Sequence, residues 1–257
     1  MNQILVYPNI AYGNHEKHKL DLFVPQNIEN PPFVILIHGG GWAGGSKEQY
    51  RLTAILLAEA GIACATIGYR LIPDAVWPEI VFDVMRGVEY LCKNESQYNI
   101  NTNKAVTWGS SAGGHSALMI QAWRDKWVSE GVVSKAPHII GTIAQCPVVR
   151  FEKPFPDIER RKIFMNGYPH AEVCPIDMDP KLFKNIFVHQ GDKDDTTPIE
   201  AAVQFVNQVK NCGNMAELLT IPDVGHGYGY STLSKESQLS IEKAIPYIFD
   251  LFKKNHD

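Results

Sequence analysis

The sequence predicts an α/β fold in which a mostly parallel central sheet of about eight strands has helices on both faces. Segments with strand character alternate with segments of helical spacing along most of the 257 residues, which is typical of a parallel sheet wrapped by helices. The continuous apolar run Phe33–Ile37 has the composition of a strand buried on both faces. At residues 109–113 a strand-like segment runs directly into a helical one, as at the edge of such a sheet.

The expected elements have recognisable ends. Pro25 closes an early strand over residues 19–24, and Gly61 closes a helix over residues 48–60, because glycine tolerates the left-handed conformation that follows many helices. The other expected strands span residues 62–67, 106–110, 139–145, 185–189 and 216–221, and the other expected helices span residues 78–93, 198–211 and 236–253, with one more beginning at Ser111.

Residues 149–184 break this alternation. They are rich in proline and charge, so we expect loops and short helices that form a small lid or insert above the sheet. We find no repeat, low-complexity tract or linker anywhere in the sequence. The expectation is therefore a single domain over residues 1–257.

Charge and composition exclude several classes of function. The net charge is −4 and no basic face is visible, which argues against a nucleic-acid partner. No stretch approaches the ~20 apolar residues of a membrane helix, and the N-terminus lacks the basic and apolar regions of a signal peptide. We therefore expect no membrane association and a cytoplasmic location, with the five scattered cysteines as free thiols. The last helix or an edge strand could pair two copies as a homodimer.

Residues 109–113, Gly-Ser-Ser-Ala-Gly, fit the pattern G-x-S-x-G. A serine at a sharp turn from strand to helix is pushed out of the sheet, within reach of substrate and of a histidine. The flanking glycines allow the backbones around the turn to approach closely. Ser111 is therefore the candidate nucleophile, although a turn of small residues without any chemistry fits the same pattern.

A serine hydroxyl needs a general base, and the base needs an acid that orients it. His226 is the candidate base, because it lies between two glycines after the last expected strand and before the last helix. The acid falls in the loop at residues 190–198, which holds Asp192, Asp194 and Asp195. The order serine, aspartate, histidine is the one expected for a serine at such a turn, but these residues alone leave the choice of aspartate open.

The oxyanion hole that this chemistry requires is expected to come from backbone N–H groups. One belongs to Ala112, the residue after the candidate nucleophile. The others are expected in the glycine-rich loop at residues 38–42, His-Gly-Gly-Gly-Trp, which follows the buried strand. A phosphate-binding loop is the alternative reading of such glycines, but the pattern G-x-x-x-x-G-K-[ST] is absent.

Together these motifs resemble those of the α/β-hydrolase superfamily, and within it the small serine esterases of the hormone-sensitive-lipase-like and the acetyl-xylan or feruloyl-esterase-like groups. The resemblance covers nearly the whole chain. Its motifs are L-D-L-F-V-P at 20–25, H-G-G-G-W at 38–42, Y-R-L-I-P-D at 69–74, G-S-S-A-G-G-H at 109–115, the acid loop at 191–198 and G-H-G at 225–227.

The resemblance implies an α/β-hydrolase fold without metal or organic cofactor, and it assigns several roles. The family's acid stands four residues before a proline, which selects Asp194, and the usual valine before that proline is Thr197 here. By the same matching, the N–H groups of Gly40 and Gly41 bind the oxyanion together with that of Ala112. The implied structural supports are His38, Tyr69, Arg70 and His115.

The implied activity is that of a serine carboxylesterase for short-chain, acetyl-like esters on a carbohydrate or a small alcohol. Only a short segment precedes the first matched strand, so we expect no large N-terminal cap and an open site. Trp42 and Trp77 are candidate walls of the substrate pocket. Aromatic residues of the insert are candidates too, although such residues more often pack an insert onto its domain: Phe151, Phe155, Phe164 and Tyr168.

Two alternatives stay open. An arylformamidase or an exopeptidase would use the same site on an amide bond. A non-catalytic α/β-hydrolase that binds a small ligand is the other, but such proteins usually lose one of the three catalytic side chains, and this sequence retains a candidate for each.

Overall fold

Eight strands form one sheet in the computed structural model, which describes residues 2–151, 158–228 and 234–255. The strands are β1 (Ile4–Ala11), β2 (Lys19–Pro25), β3 (Phe33–Ile37), β4 (Ala63–Ile67), β5 (Lys104–Ser110), β6 (His138–Gln145), β7 (Ile186–Gly191) and β8 (Ala216–Ile221). Their order is β1-β2-β4-β3-β5-β6-β7-β8. β2 pairs antiparallel with β1 and β4, and the remaining pairs are parallel.

Helices connect most of the parallel strands in the described ranges. They are α1 (Arg51–Glu59), α2 (Glu79–Lys93), α3 (Glu95–Tyr98), α4 (Ala112–Ser129), α5 (Ile158–Met165), α6 (His170–Val173), α7 (Ile199–Asn211) and α8 (Lys235–Lys254). Short 3₁₀ turns occupy Lys47–Tyr50, Pro175–Asp177 and Pro180–Leu182.

The sheet is buried on both faces by two clusters of apolar side chains. α1 and α8 contribute to one cluster, for example through Leu57 and Ile248. α2, α4 and α7 contribute to the other, for example through Leu118. Successive side chains of a strand point to opposite faces, so Ile35 and Leu36 of β3 enter different clusters. This two-sided burial explains why β3 is apolar throughout.

The parallel strands bring three loops to one edge of the sheet. β5, β6, β7 and β8 are neighbours and run in the same direction. The loops that follow β5, β7 and β8 therefore meet beyond the carboxyl ends of these strands, where open α/β sheets bind their ligands. Ser111, the acid loop and His226 lie in these three loops.

The predicted fold class is confirmed, and the described residues contain no large cap. The expected strands and helices are all present, with ends that move by a few residues, and the first turn of the helix predicted over 48–60 is the 3₁₀ turn Lys47–Tyr50. The sequence analysis did not predict β1. It lies at the sheet edge with mostly exposed side chains, and a register shift between Tyr7 and Ile10 breaks its alternation.

The insert at 149–184 contains α5, α6 and two 3₁₀ turns within its described residues, as expected. Its role as a lid, and the single domain over 1–257, stay predictions. No helix in the described ranges is long and apolar enough to cross a membrane. The five cysteines are free thiols.

Candidate active site

Ser111 lies on the strained turn between β5 and α4. Its backbone has φ 54° and ψ −119°, a conformation that L-residues rarely adopt. Glycine is required on both sides: a Cβ on Gly109 would lie 2.1 Å from the carbonyl oxygen of Gly113, and a Cβ on Gly113 would lie 2.1 Å from that of Ile37. The spacing of G-x-S-x-G therefore follows from the close approach of β5, α4 and the end of β3.

Ser111, His226 and Asp194 form one hydrogen-bonded chain. Nε2 of His226 lies 2.9 Å from Oγ of Ser111, although 115 residues separate them. Nδ1 of His226 lies 2.9 Å from Oδ2 of Asp194. The side chain of Asp194 is fully buried, whereas that of His226 is 20% exposed. A buried acid behind a partly exposed imidazole leaves the serine side of the ring open to substrate.

The acid loop fixes the Asp194 carboxylate from several directions. Oδ1 accepts the backbone N–H groups of Thr196 at 2.9 Å and of Thr197 at 2.7 Å. Oδ2 accepts from Nε2 of Gln190 at 2.9 Å. Burial raises the pKa of the Asp194 carboxyl, but the hydrogen bonds from His226 and Thr197 outweigh burial and hold the pKa below its usual range. The carboxylate is therefore ionised at neutral pH.

The other two aspartates of the loop do not reach the imidazole. Oδ1 of Asp192 accepts the backbone N–H of Asp223 at 2.7 Å and so ties the acid loop to the loop that carries His226. Oδ1 of Asp195 lies 3.3 Å from the Thr196 hydroxyl. Of the three aspartates, Asp194 is the one whose carboxylate lies against the imidazole.

Thr197 joins the acid and the base. Its Oγ1 lies 2.9 Å from Oδ2 of Asp194, 3.2 Å from Nδ1 of His226 and 3.2 Å from the carbonyl oxygen of Cys146. A valine at this position would offer no hydroxyl. The sequence analysis noted the departure from valine but assigned it no role.

The loop of His226 is held against the acid loop and the sheet. Lys193 donates its N–H to the carbonyl oxygen of Val224 at 3.0 Å. Nε2 of Gln145 donates to the carbonyl oxygen of Tyr228 at 2.7 Å. Burial lowers the pKa of His226, whereas its interactions with the Asp194 carboxylate and with Cys146 raise it, and the net shift is upward.

The glycine-rich loop lies beside Ser111. Gly40 and Gly41 have φ of 118° and 59°, and a Cβ on Gly40 would lie 2.3 Å from the carbonyl oxygen of Gly44. Among the described residues, no acceptor is found for the N–H groups of Gly40 and Gly41. Ala112 begins α4, so its N–H is one of the unpaired donors at a helix N-terminus. These donors have the chemistry that an oxyanion needs.

A cavity of about 400 Å³ opens over the serine. The described residues that line it are Gly40, Gly41, Trp42, Gln49, Ser111, Val148, Arg160, Arg161, Thr196 and His226. Of the two tryptophans expected in the pocket, Trp42 lines the cavity, but it is only 2% exposed. Trp77 is 3% exposed and is not among these lining residues. Its place is in the core, where Trp127 packs against it.

Aromatic packing joins the insert to the glycine-rich loop. Trp42 stacks on Phe164 with 4.0 Å between ring centroids and on Phe151 with 5.7 Å. Tyr168 packs edge-on against Trp77. The rings of Phe151, Phe164 and Tyr168 fasten the insert to the domain and are not among the described residues that line the cavity. Phe155 lies outside the described residues.

The residues expected as supports hold the site from behind. The His38 ring stacks on Tyr69 with 4.1 Å between centroids, and the Tyr69 hydroxyl donates to the His38 carbonyl oxygen at 2.6 Å. Nε2 of His115 lies 2.7 Å from the carbonyl oxygen of Val173, which links α4 to the insert. Arg70 forms two hydrogen bonds of 2.7 Å with the buried Asp83.

Sequence reasoning left several residues of the site without a position or a role. Gln190 and Thr197 contact the acid, and Arg160 and Arg161 line the cavity. The sequence did mark Thr197, because a threonine stands there in place of the family's usual valine. The charged pair within the insert was the signal for the arginines, but no spacing placed them over the serine.

Among the residues that the structure describes, two clusters have the donor types of a divalent metal ion. They are Cys146 with Asp194 and His226, and His170 with Cys174 and Asp177, and in each the donor atoms lie within 4.8 Å of one another. The first cluster shares the acid and the base of the hydrogen-bonded chain, so a metal ion there would replace the contact between His226 and Asp194. That the protein binds no metal ion stays a prediction.

The fold and the strained serine turn define the class: this is an α/β-hydrolase. The model of the prolyl oligopeptidase family matches residues 79–244, which is more than half of the chain, and a model named BD-FAE matches residues 20–137. The chain belongs to the prolyl oligopeptidase family.

Curated relatives include hydrolases of more than one bond type. A probable isoprenylcysteine alpha-carbonyl methylesterase of Oryza sativa subsp. japonica is 27% identical over 83% of this chain. Esterase LipC of Mycobacterium tuberculosis is 25% identical over 85% of the chain, and the kynurenine formamidase of Salmo salar is 34% identical over 44%. The chain spans 56%, 59% and 37% of the lengths of these three proteins.

Solved structures share the fold at low identity. A truncated carbohydrate esterase from gut microbiota superposes with a TM-score of 0.78 at 19% identity, covering 96% of each chain. Esterase B from Lactobacillus rhamnosis, inhibited by a tributyrin phosphonate, superposes with a TM-score of 0.84 at 20% identity, covering 98% of this chain and 87% of that one.

Proposed function

We propose that this protein is a serine carboxylesterase that hydrolyses short-chain, acetyl-like esters through Ser111, His226 and Asp194. The observation that carries the proposal is the continuous hydrogen-bonded chain from Oγ of Ser111 to the buried Asp194 carboxylate. A serine hydroxyl is a weak nucleophile and requires a base held close to it, and the base in turn requires an acid that orients it. This arrangement supports both roles.

The first half of the reaction acylates the serine. Nε2 of His226 takes the hydroxyl proton while Oγ of Ser111 attacks the ester carbonyl carbon. The carbonyl oxygen becomes an oxyanion that accepts the N–H groups of Gly40, Gly41 and Ala112. Loss of one such donor typically costs about 3 kcal/mol in the barrier. The intermediate collapses as the bond to the leaving alkoxide breaks, and the imidazolium returns the proton to it.

The second half releases the acid. Water attacks the acyl-enzyme carbonyl as His226 takes its proton, and the tetrahedral intermediate expels Oγ of Ser111, which regains a proton from the imidazolium. The Asp194 carboxylate keeps Nδ1 protonated and stabilises the imidazolium in both halves.

The small volume of the cavity supports the proposal that the substrate is small. Its volume of about 400 Å³ is near the lower end for ligand pockets. The resemblance to a probable methylesterase and to an esterase supports ester chemistry. A carbohydrate esterase among the fold neighbours supports an acyl group on a sugar only by analogy of fold.

A formamidase or exopeptidase is the second candidate. Two comparisons favour it: the match to the prolyl oligopeptidase family and the resemblance to a kynurenine formamidase. The same acyl transfer would then act on an amide. Hydrolysis of N-formylkynurenine and of dipeptide amides, compared with acetyl esters at equal concentration, separates the two candidates by their kcat/KM.

The test is hydrolysis of p-nitrophenyl esters from acetate to octanoate by the wild type and by Ser111→Ala, with Ser110→Ala as the matched control. We expect fast turnover of acetate and butyrate that falls with chain length, is lost in Ser111→Ala and survives in Ser110→Ala. No turnover of any ester, or equal turnover by Ser111→Ala, would overturn the proposal.

A further inference from the structure

Two arginines of the insert face the candidate nucleophile. Arg160 and Arg161 lie on α5 and line the same cavity as Ser111 and His226. No aspartate or glutamate is among the described residues that line it. The described lining of the cavity therefore contributes two guanidinium groups and no carboxylate, a feature that a neutral acetyl ester does not require.

Arg161 is held in place by the insert. It is 4% exposed, its Nη1 donates to the carbonyl oxygen of Arg150 at 2.7 Å, and its guanidinium lies 5.9 Å from the centroid of the Phe151 ring. These contacts fix the Arg161 guanidinium behind the cavity wall and shield it from water.

Arg160 lies directly against the glycine-rich loop. A Cβ built on Gly41 would be 2.5 Å from Nη1 of Arg160, so the glycine makes room for the guanidinium. The cation is thus next to the position proposed for the ester carbonyl oxygen. A guanidinium carries five N–H donors in a planar fork, so it can keep protein contacts and still bind a carboxylate.

From this geometry we propose that Arg160, with Arg161 behind it, forms a subsite for a carboxylate carried by the substrate. The inference rests on the proposed function and narrows its substrate class to small esters that bear an anionic group close to the scissile bond. The carboxylate belongs either to the acyl part, as in a half-ester of a dicarboxylic acid, or to the alcohol part, as in an acetylated hydroxy acid.

Matched pairs of esters that differ by one charge test this subsite. For the acyl side, p-nitrophenyl hydrogen fumarate is compared with p-nitrophenyl methyl fumarate, because a trans carboxylate cannot attack its own ester. For the alcohol side, 4-acetoxybenzoate is compared with methyl 4-acetoxybenzoate. The measured quantity is the ratio of kcat/KM for the charged ester to that for the neutral one, which cancels any general loss of activity in a variant.

We expect a ratio above one in the wild type for one of the two pairs, a fall of about tenfold or more in Arg160→Gln, and partial recovery in Arg160→Lys. Lys162→Gln is the control, because Lys162 lies on the same helix with its charge exposed and paired to Glu159. A ratio below one in the wild type for both pairs, or an equal ratio in Arg160→Gln, would overturn the subsite.

Binding separates this inference from the esterase proposal. In Ser111→Ala the esters stay intact, so titration calorimetry reports affinity without turnover. We expect the charged ester of the favoured pair to bind more tightly than the neutral one, and this preference to disappear in Ser111→Ala/Arg160→Gln. Loss of ester turnover in the wild type with this preference intact would remove the esterase proposal alone, and equal binding of both esters would remove the subsite alone.

Discussion

Nδ1 of His226 lies 2.9 Å from Oδ2 of Asp194, and the neighbouring Asp195 side chain takes no part in that contact. Asp194, whose carboxylate contacts the imidazole, is thus adjacent in sequence to Asp195, whose carboxylate lies on the surface of the same loop. The two aspartates form a matched pair for mutagenesis.

Asp194→Asn should lower kcat for p-nitrophenyl acetate by about 10³- to 10⁴-fold, since an amide favours the wrong imidazole tautomer. Asp195→Asn should change kcat by less than about threefold, because its carboxylate does not reach His226. Equal losses in the two variants, or a larger loss in Asp195→Asn, would reject the assignment of Asp194.

The pH dependence of activity should reflect the raised pKa of His226. Only the neutral imidazole accepts the serine proton, so kcat/KM should fall as the pH drops through the pKa of His226, with a midpoint above the ~6.5 of free imidazole. Asp194→Ala removes the carboxylate whose hydrogen bond is the largest contribution that raises this pKa, and its residual activity should show a lower midpoint. A midpoint that stays fixed, or moves up, contradicts this origin of the shift.

Thr197→Val should weaken the coupling between acid and base. The substitution keeps the shape of the side chain and removes the hydroxyl that lies 2.9 Å from Oδ2 of Asp194. We expect kcat to fall by about fivefold to tenfold, the equivalent of one hydrogen bond. Thr220→Val is the control, because Thr220 is an exposed threonine of β8 and is not among the described residues that line the cavity. Unchanged kcat in Thr197→Val would show that the hydroxyl is dispensable.

The buried histidines should make the fold sensitive to acid. Burial lowers the pKa of His38 and of His115 to about 4 and that of His189 to about 3. The unfolded chain binds protons at these positions below about pH 6.5, whereas the folded chain does not, so stability is lost as the pH falls from there toward 4. His226 affects stability at higher pH and in the opposite direction. Because its pKa is raised in the folded chain, it contributes stability that is lost as the pH rises above about 6.5.

His189→Leu isolates one of these contributions. Neither ring nitrogen of His189 has a partner among the described residues, so its loss breaks no hydrogen bond there. Between about pH 4.5 and 6, the slope of the unfolding free energy against pH should be smaller in the variant than in the wild type by about 1.4 kcal/mol per pH unit. Urea unfolding across this range measures the slope, and His138→Gln on the exposed start of β6 is the control. An unchanged slope would mean that His189 is protonated in the folded state.

The sequence could predict the parts of this molecule in which local geometry dictates the residue. The glycines around Ser111 are needed because the backbones of β5, α4 and β3 leave no room for a Cβ. The apolar run of β3 follows from burial on both faces. Both signals come from residues that are adjacent in the sequence, so they can be recognised without knowledge of the fold.

Other features depend on contacts between distant segments. β1 gave little signal because an exposed edge strand needs no alternation. Trp77 was expected in the pocket, but its rings pack inside the core, and a tryptophan is equally suited to both environments. Arg160 lies over Gly41 only because the insert folds back across the sheet edge, which no spacing in the sequence expresses.

Covalent labelling tests the central proposal, that Oγ of Ser111 is the nucleophile. The protein would be incubated with an alkyl fluorophosphonate, and the adduct located by peptide mass spectrometry. The proposed mechanism predicts one phosphonyl group per chain on Ser111, loss of esterase activity in step with labelling, the same adduct in Ser110→Ala and none in Ser111→Ala. Labelling of another residue, or full activity after Ser111 is labelled, would contradict it.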